Sequence, residues 1–305
     1  MAGKVIIGKI LKRDDLEKVV EIQRIVWKHA DLDITPVHQF CISSFMGGIV
    51  LGARVDGELA GFVYSFPAIF RGRFCHHSHL LAVLPEYRGY GLGKRLKWAQ
   101  RREVLKMGLD VVTWTYDPMQ SRNANLNLHT LGGICRTYLQ DFYGETPSLR
   151  LGPGIPADRL LVEWPIKTVR VEQKARGKRE SPLEPGSYPP VLEGRVASNG
   201  QYLPGKPRLR LKEPIILAET VPDVESLRPT PEVIAAWQAA LRQVFKHYFQ
   251  QGYAVVDFSF GEKCYYVLSN RLKNIVPAEG GAQKRFLKSQ KAKKLKNQLA
   301  GRLNG

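Results

Sequence analysis

The chain has 305 residues, of which 44% are hydrophobic and 24% charged, and a formal net charge of +18 at pH 7. That length and apolar content can bury a sizeable core in one large domain or two small ones, which excludes a wholly disordered polymer. Cys41, Cys75, Cys135 and Cys264 are scattered without a C-x-x-C pair, which argues against a zinc ribbon or disulfide scaffold and reads as small buried hydrophobes.

Taken in chain order, the sequence predicts a strand at about residues 4–11. A helix capped near Asp14 or Asp15 then runs to about His29, followed by a shorter helix near 36–46. Ile49 to Val55 and Leu59 to Pro67 flank Asp56-Gly57-Glu58, and Asp-Gly between apolar runs is a strong hairpin signal. A strand follows at about 74–84, a helix at 91–107, a strand at 110–116 and a helix at 123–131, with strands near 134–140 and 160–165. Lys167 to Arg179 is basic and runs into the Pro/Gly-rich stretch Ser181 to Pro190, which reads as a linker or long surface excursion.

Beyond Leu209 an apolar strand precedes a helix at about 231–250, on which Val233, Trp237, Leu241, Val244 and Tyr248 form one stripe; Gly252 is placed to end it. A hairpin of Tyr253 to Ser259 with Cys264 to Ser269 closes a small α+β unit. The expected organisation is a 1–166 core, a 167–208 linker, a 209–276 C-terminal α+β subdomain and a 277–305 basic tail. The tail carries Lys284 to Arg302 with no acid and reads as a solvated helix or as a docking arm for nucleic acid, anionic lipid or an acidic partner. No run of about 18 apolar residues is present, so no membrane span is expected. Met1-Ala2-Gly3-Lys4 leads into a strand with no charged-then-apolar leader, so the expected location is cytoplasmic.

The most informative stretch is Leu80-Leu81-Ala82-Val83-Leu84-Pro85-Glu86-Tyr87-Arg88-Gly89-Tyr90-Gly91-Leu92-Gly93. Glycines without Cβ let a backbone approach a ligand and turn its amides inward. The helix that opens at Lys94-Arg95-Leu96-Lys97 adds its positive end, so the turn is built to hold anionic oxygens. A dinucleotide-binding turn would want a carboxylate roughly 20 residues on, and Asp110 and Asp117 fit poorly. A P-loop fails because no Gly-Lys-Ser/Thr follows.

Arg88, Gly91 and Gly93 match the Q/R-x-x-G-x-G/A signature of the GNAT superfamily of acyl-CoA-dependent N-acyltransferases, and the chain resembles that family over roughly residues 4–165. The resemblance extends to Trp114 to Pro118 and to Asn123 to Gly132. It implies an α/β (α+β) GNAT fold: a central mixed, mostly antiparallel sheet flanked by helices and splayed at the coenzyme A site, with the C-terminal unit as an extension. It also implies acetyl-CoA or succinyl-CoA as acyl donor. Arg88, Gly89, Tyr90, Gly91, Leu92, Gly93 and Lys94 would hold the pyrophosphate, and Leu81, Ala82 and Val83 the acyl-pantetheine, with Asn123 and Asn127 offering amide contacts to it. The long C-terminal extension resembles the branch that N-succinylates amino acids; Arg122 and Arg136 are candidates for a dicarboxylic acyl group.

N-acyl transfer needs a neutral amine, oxyanion stabilisation and a proton for the leaving thiolate. Strand alternation puts His77 and His79 on one face and His76 on the other. His77 and His79 are therefore candidate bases, as in the arylalkylamine N-acetyltransferases that the stretch resembles. The competing readings are a polar lining and, less well supported by neighbouring ligands, a zinc pair. Many family members place a tyrosine acid where this chain has Leu128, which leaves Tyr138 or Tyr143 as substitutes, or packed aromatics, or unassisted thiolate departure. The expected partners are acyl-CoA and a small-molecule amine such as an amino acid, with a homodimer open and nucleic acid a rival partner for the tail. A GNAT-like binder that docks through the tail is the alternative to an enzyme.

Overall fold

A computed structural model describes residues 3–28, 31–144, 155–178, 184–222, 230–273 and 275. The basic tail falls outside the described residues. Strands β1 (Val5–Lys9), β2 (Ile49–Val55), β3 (Glu58–Phe70) and β4 (Arg73–Val83) form an antiparallel meander. Asp56 and Gly57 turn between β2 and β3 at φ 50° and 94°, the left-handed region that Asp-Gly tolerates. β3 runs through Pro67 to Phe70, beyond its expected end.

Two helices precede β2, α1 (Arg13–Trp27) and α2 (Val37–Phe45). Lys12, not Asp14 or Asp15, is the N-cap of α1; the two aspartates occupy its first turn, where their charge complements the helix dipole. Leu16, Val19 and Ile22 of α1 and Phe40 of α2 pack with Phe62 and Tyr64 on one face of the sheet. The opposite face is covered by α3 (Leu92–Lys106), whose Leu92, Leu96, Ala99 and Val104 are buried. β5 (Val111–Tyr116) runs parallel to β4, and β7 (Arg159–Pro165) and β6 (Ile134–Leu139) follow it antiparallel. Between β5 and β6 the chain forms α4 (Ser121–Ala124), continued as a π-helix over Asn125–Thr130 rather than a regular helix.

The C-terminal unit does not stand apart. Among the described residues β12 (Ala254–Ser259) pairs with β6 at Val255 and Cys135, and β13 (Cys264–Ser269), β11 (Ile215–Thr220) and β8 (Pro190–Leu192) extend the same sheet to eleven strands. The expected linker is in part structured: α5 (Val169–Ala175), β8 and the β9 (Gly194–Val196) and β10 (Tyr202–Pro204) hairpin lie in it, and Val171, Val191 and Leu192 enter the main core. Its charge hides these few apolar anchors. α6 (Pro231–Gln250) buries the expected stripe of Val233, Trp237, Leu241, Val244 and Tyr248. Gly252 ends it at φ 84°, with Tyr253 N–H donating to the Tyr248 carbonyl at 3.0 Å. Cys75, Cys135 and Cys264 are buried as expected, whereas Cys41 is exposed.

Candidate active site

The parallel contact between β4 and β5 is short. His76 pairs with Val112 and His77 with Thr113, and no further pair joins the two strands. Past that point β4 pairs only with β3, and the register shifts so that Ser65 faces Ser78 and Tyr64 faces Leu80, which leaves His79 as a bulge. The two strands diverge from the vertex at His77 and Thr113. A cleft of about 320 Å³ opens there, lined by Ser78 to Leu81 of β4, Lys97 of α3, Trp114 to Asp117, Asn123, Leu126 and Asn127, with Tyr143, Ile155, Pro156 and Arg159 on its far wall.

The glycine turn abuts this cleft through the start of α3. A Cβ on Gly93 would come 3.9 Å from side-chain carbons of the cleft residues Leu81 and Leu126. Gly89 and Gly91 sit at φ 91° and 68°, where a residue with a Cβ is strained. Gly91 caps α3 without a side-chain bond, and Arg95 N–H is the first to reach back, to the Gly91 carbonyl at 3.1 Å. The amides of Leu92, Gly93 and Lys94 are thus left without intrahelical acceptors at the positive end of the helix. Arg88, Gly89, Tyr90 and Lys94 are exposed around them, while Leu92 is a core residue.

At the vertex, His77 Nδ1 lies 3.1 Å from Thr113 Oγ1. Burial, reinforced by the charges of His79 and Lys97, lowers its pKa to about 4, so the imidazole is neutral in ordinary buffers. His79 is exposed yet lines the cleft, and desolvation there holds it below the ordinary imidazole range. The two rings are 6.3 Å apart and both lie against Phe66, at 5.5 and 5.9 Å. The expected pairing of His77 with His79 on one face therefore survives the bulge. His76 lies on the other face, fully buried, with Nδ1 3.0 Å from Ser65 Oγ.

The tyrosines separate. Tyr143 lines the cleft, its hydroxyl 3.1 Å from Thr115 Oγ1 and the Arg159 guanidinium 5.3 Å from its ring. Tyr138 does not join them. It donates to Asp158 Oδ2 at 2.5 Å, an oxygen that also takes Arg242 Nε at 2.7 Å, and burial raises its pKa far above the ordinary phenol value. This network ties α6 to the loop before β7, and Gln238 Nε2 adds a bond to the Pro156 carbonyl at 2.7 Å. Leu81 and Asn127 line the cleft, and Asn123 lies at its exposed rim. Ala82 points instead into the α1/α2 core, and Val83 packs against the α3-side core outside the cleft. Arg136 is taken by Glu163, with Nε to Oε1 at 3.2 Å and Nη2 to Oε2 at 2.5 Å, and Arg122 is exposed. Among the described residues no three His, Cys, Asp or Glu side chains come together as a metal site.

Lys97 was not legible in the sequence. Its Nζ sits at the cleft, bonded to Ser78 Oγ at 3.0 Å and Gln100 Oε1 at 2.8 Å, and lies 3.6 Å from the centroid of the Trp114 ring and 5.5 Å from that of Trp164. Burial holds its pKa well below the ordinary lysine value. The indole box is itself fixed, since Trp164 is fully buried and donates Nε1–H to the Leu131 carbonyl at 2.7 Å.

Residues 16–132, from α1 through the π-helix, match the acetyltransferase (GNAT) family. No curated protein matches the chain. Among solved structures it is similar to the ribosomal-protein-S18-alanine N-acetyltransferase from Escherichia coli, at 18% identity and a TM-score of 0.43 over 53% of this chain and 94% of that one. The PaiA N-acetyltransferase from Thermoplasma acidophilum, solved with coenzyme A, gives 18% and 0.38 over 52% and 98%. A GNAT acetyltransferase from Streptococcus pneumoniae gives 16% and 0.43 over 52% and 98%. The architecture around the cleft, a mixed and mostly antiparallel sheet flanked by helices, is the GNAT fold.

Proposed function

We propose that the chain is an acyl-CoA-dependent N-acyltransferase that moves an acetyl or succinyl group from the coenzyme A thioester to a primary amine by direct attack. The observation that carries this reading is the joint between β4 and β5: two residue pairs that end at His77 and Thr113, then a cleft lined by His79, with Gly93 of the glycine turn against the cleft residues Leu81 and Leu126. Such a gap leaves β4 amides beside a ligand, and a pantetheine arm can take the place of the missing strand contacts.

In this reading the pyrophosphate sits on the turn Arg88 to Lys94 and the start of α3. The acyl-pantetheine lies against Leu81 and Asn127, with Asn123 at the rim. A β4 backbone amide, that of Leu81 or Val83, takes the oxyanion. His77 or His79, neutral and close to the vertex, accepts the proton of the attacking amine. Arg159 is the guanidinium on the cleft wall and is the group that would favour a carboxylate, whether on a succinyl donor or an amino-acid acceptor.

The test is thiol release from acetyl-CoA and succinyl-CoA across a panel of primary amines that includes amino acids. Turnover of at least one pair, abolished in the His77→Gln, His79→Gln double variant with coenzyme A affinity retained, supports the reading. Thioester cleavage with no amine in the panel counts against it.

A further inference from the structure

An acyl transfer that breaks a C–S bond leaves a thiolate, and of the residues expected to supply its proton only Tyr143 lies at the cleft, its hydroxyl 3.1 Å from Thr115 Oγ1. Leu128 is an apolar core residue and the Tyr138 hydroxyl is committed to Asp158. The cleft floor holds another proton source. Ser78 Oγ accepts from Lys97 Nζ and from Gln100 Nε2, both at 3.0 Å. A hydroxyl has two lone pairs and one hydrogen. With both lone pairs taken by donors on α3, the Ser78 hydrogen is left to point away from them, and Ser78 and Lys97 both line the cleft. The described partners of Lys97, a hydroxyl, an amide oxygen and two indole faces, carry no charge. A buried ammonium so placed is not held there by an ion pair.

Resting on the acyltransferase reading, we propose that Ser78 and Lys97 form a relay that protonates the departing coenzyme A thiolate. The amine nitrogen bonds to the thioester carbon, and collapse of the tetrahedral adduct breaks C–S with its electron pair going to sulfur. Sulfur takes the Ser78 hydroxyl proton as Ser78 Oγ takes one from the Lys97 ammonium. The attacking amine gives up its proton to His77 or His79, so amine plus thioester yields amide plus free thiol; between turnovers the imidazolium releases its proton to solvent and Lys97 takes one from it. Burial makes the Lys97 ammonium a stronger acid than an exposed one, which favours release of its proton to Ser78 Oγ. Gln100 is a positioning residue: its amide holds Ser78 and its Oε1 holds Lys97.

The experiment is a pH titration of the coenzyme A thiol in its complex with the full chain, followed by thiolate ultraviolet absorbance, for wild type, Ser78→Ala and Lys97→Met. The relay lowers the bound thiol's pKa below that of free coenzyme A titrated in the same buffer in wild type. It is expected to return to or above that value in Lys97→Met, and both variants lose turnover on the order of 10²-fold with an unchanged KM for acyl-CoA. Should Lys97→Met fail to fold, Ser78→Ala carries the test, because it removes one oxygen and leaves α3 intact. Identical titrations and undiminished turnover in the variants would overturn the relay alone. Failure of wild type to bind coenzyme A at all would overturn the acyltransferase reading and the relay with it.

Discussion

His77 and Thr113 are the last residues to pair across β4 and β5, and the imidazole Nδ1 lies 3.1 Å from the threonine hydroxyl at that vertex. The contact fixes the ring where the sheet begins to open. Thr113 is 2% exposed, so replacing it with valine removes the hydroxyl partner at little change in volume. The expected result is a loss of about 0.5–1.5 kcal/mol in stability and a larger fall in kcat than in coenzyme A affinity. Calorimetric coenzyme A titration beside steady-state kinetics checks it, and equal losses in both would place Thr113 in general folding instead.

The pH profile follows from the same ring. His77 has a pKa lowered to about 4, so it is unprotonated and able to accept a proton through the ordinary assay range. At saturating substrates kcat should show no acid limb from His77 near 6.5, its fall being displaced toward about 4. A limb near the ordinary imidazole value that vanishes in His77→Gln contradicts this assignment.

Stability against pH is set in part by His76, which is fully buried and has a pKa lowered to about 4. Burial is the main cause, partly offset by the Gly47 backbone. Between about 4 and the unfolded value near 6.5 the unfolded chain binds the extra proton, so stability falls as pH falls through that window. The contribution is at most about 3 kcal/mol. Urea unfolding over a pH series should show a shallower slope in His76→Gln than in wild type; parallel curves would remove His76 from the acid response.

The fold was legible where local chemistry dictates it. Asp56-Gly57 announced its hairpin, and the α6 stripe found its core because 3.6-residue periodicity reports burial directly. The cleft was not, because periodicity describes one strand's faces and carries nothing about how far it runs beside its neighbour. Lys97 escaped for a related reason: a lysine among Lys94, Arg95 and Arg101 on a helix reads as solvated, and the Trp114 and Trp164 indoles that help to bury it come from two later strands. Tyr138 stayed open between an acid and a packed aromatic because the partners that hold its hydroxyl, Asp158 and Arg242, come from far along the chain.

That last network predicts a division of labour between the two tyrosines. Asp158 is fully buried, so Arg242→Ala removes its cation and leaves the carboxylate to the Tyr138 hydroxyl and the Asp141 N–H, and is expected to cost about 3–5 kcal/mol in chemical unfolding. Tyr138→Phe should cost about 1–3 kcal/mol and leave kcat near wild type. A large kcat loss in Tyr138→Phe with no loss of stability would return that hydroxyl to the chemistry.

Backbone strain governs the glycine turn. A Cβ at Gly91 meets nothing within 4 Å, so Gly91→Ala is penalised through its φ of 68° rather than by crowding. The expected strain is about 1–2 kcal/mol. If the turn holds the pyrophosphate, most of it appears as weaker coenzyme A binding by calorimetry. An unchanged dissociation constant would move the anion site elsewhere.

The most direct test of the acyltransferase account is thermal unfolding of the full chain with free coenzyme A, acetyl-CoA and succinyl-CoA, in wild type and in Arg159→Gln. Ligand at about 100 times its dissociation constant adds roughly 2.7 kcal/mol of stability. The account predicts a clear rise in unfolding temperature with each ligand, and any extra gain from succinyl-CoA should be lost in Arg159→Gln. No shift with any of the three at saturating concentrations would contradict a coenzyme A site in the cleft.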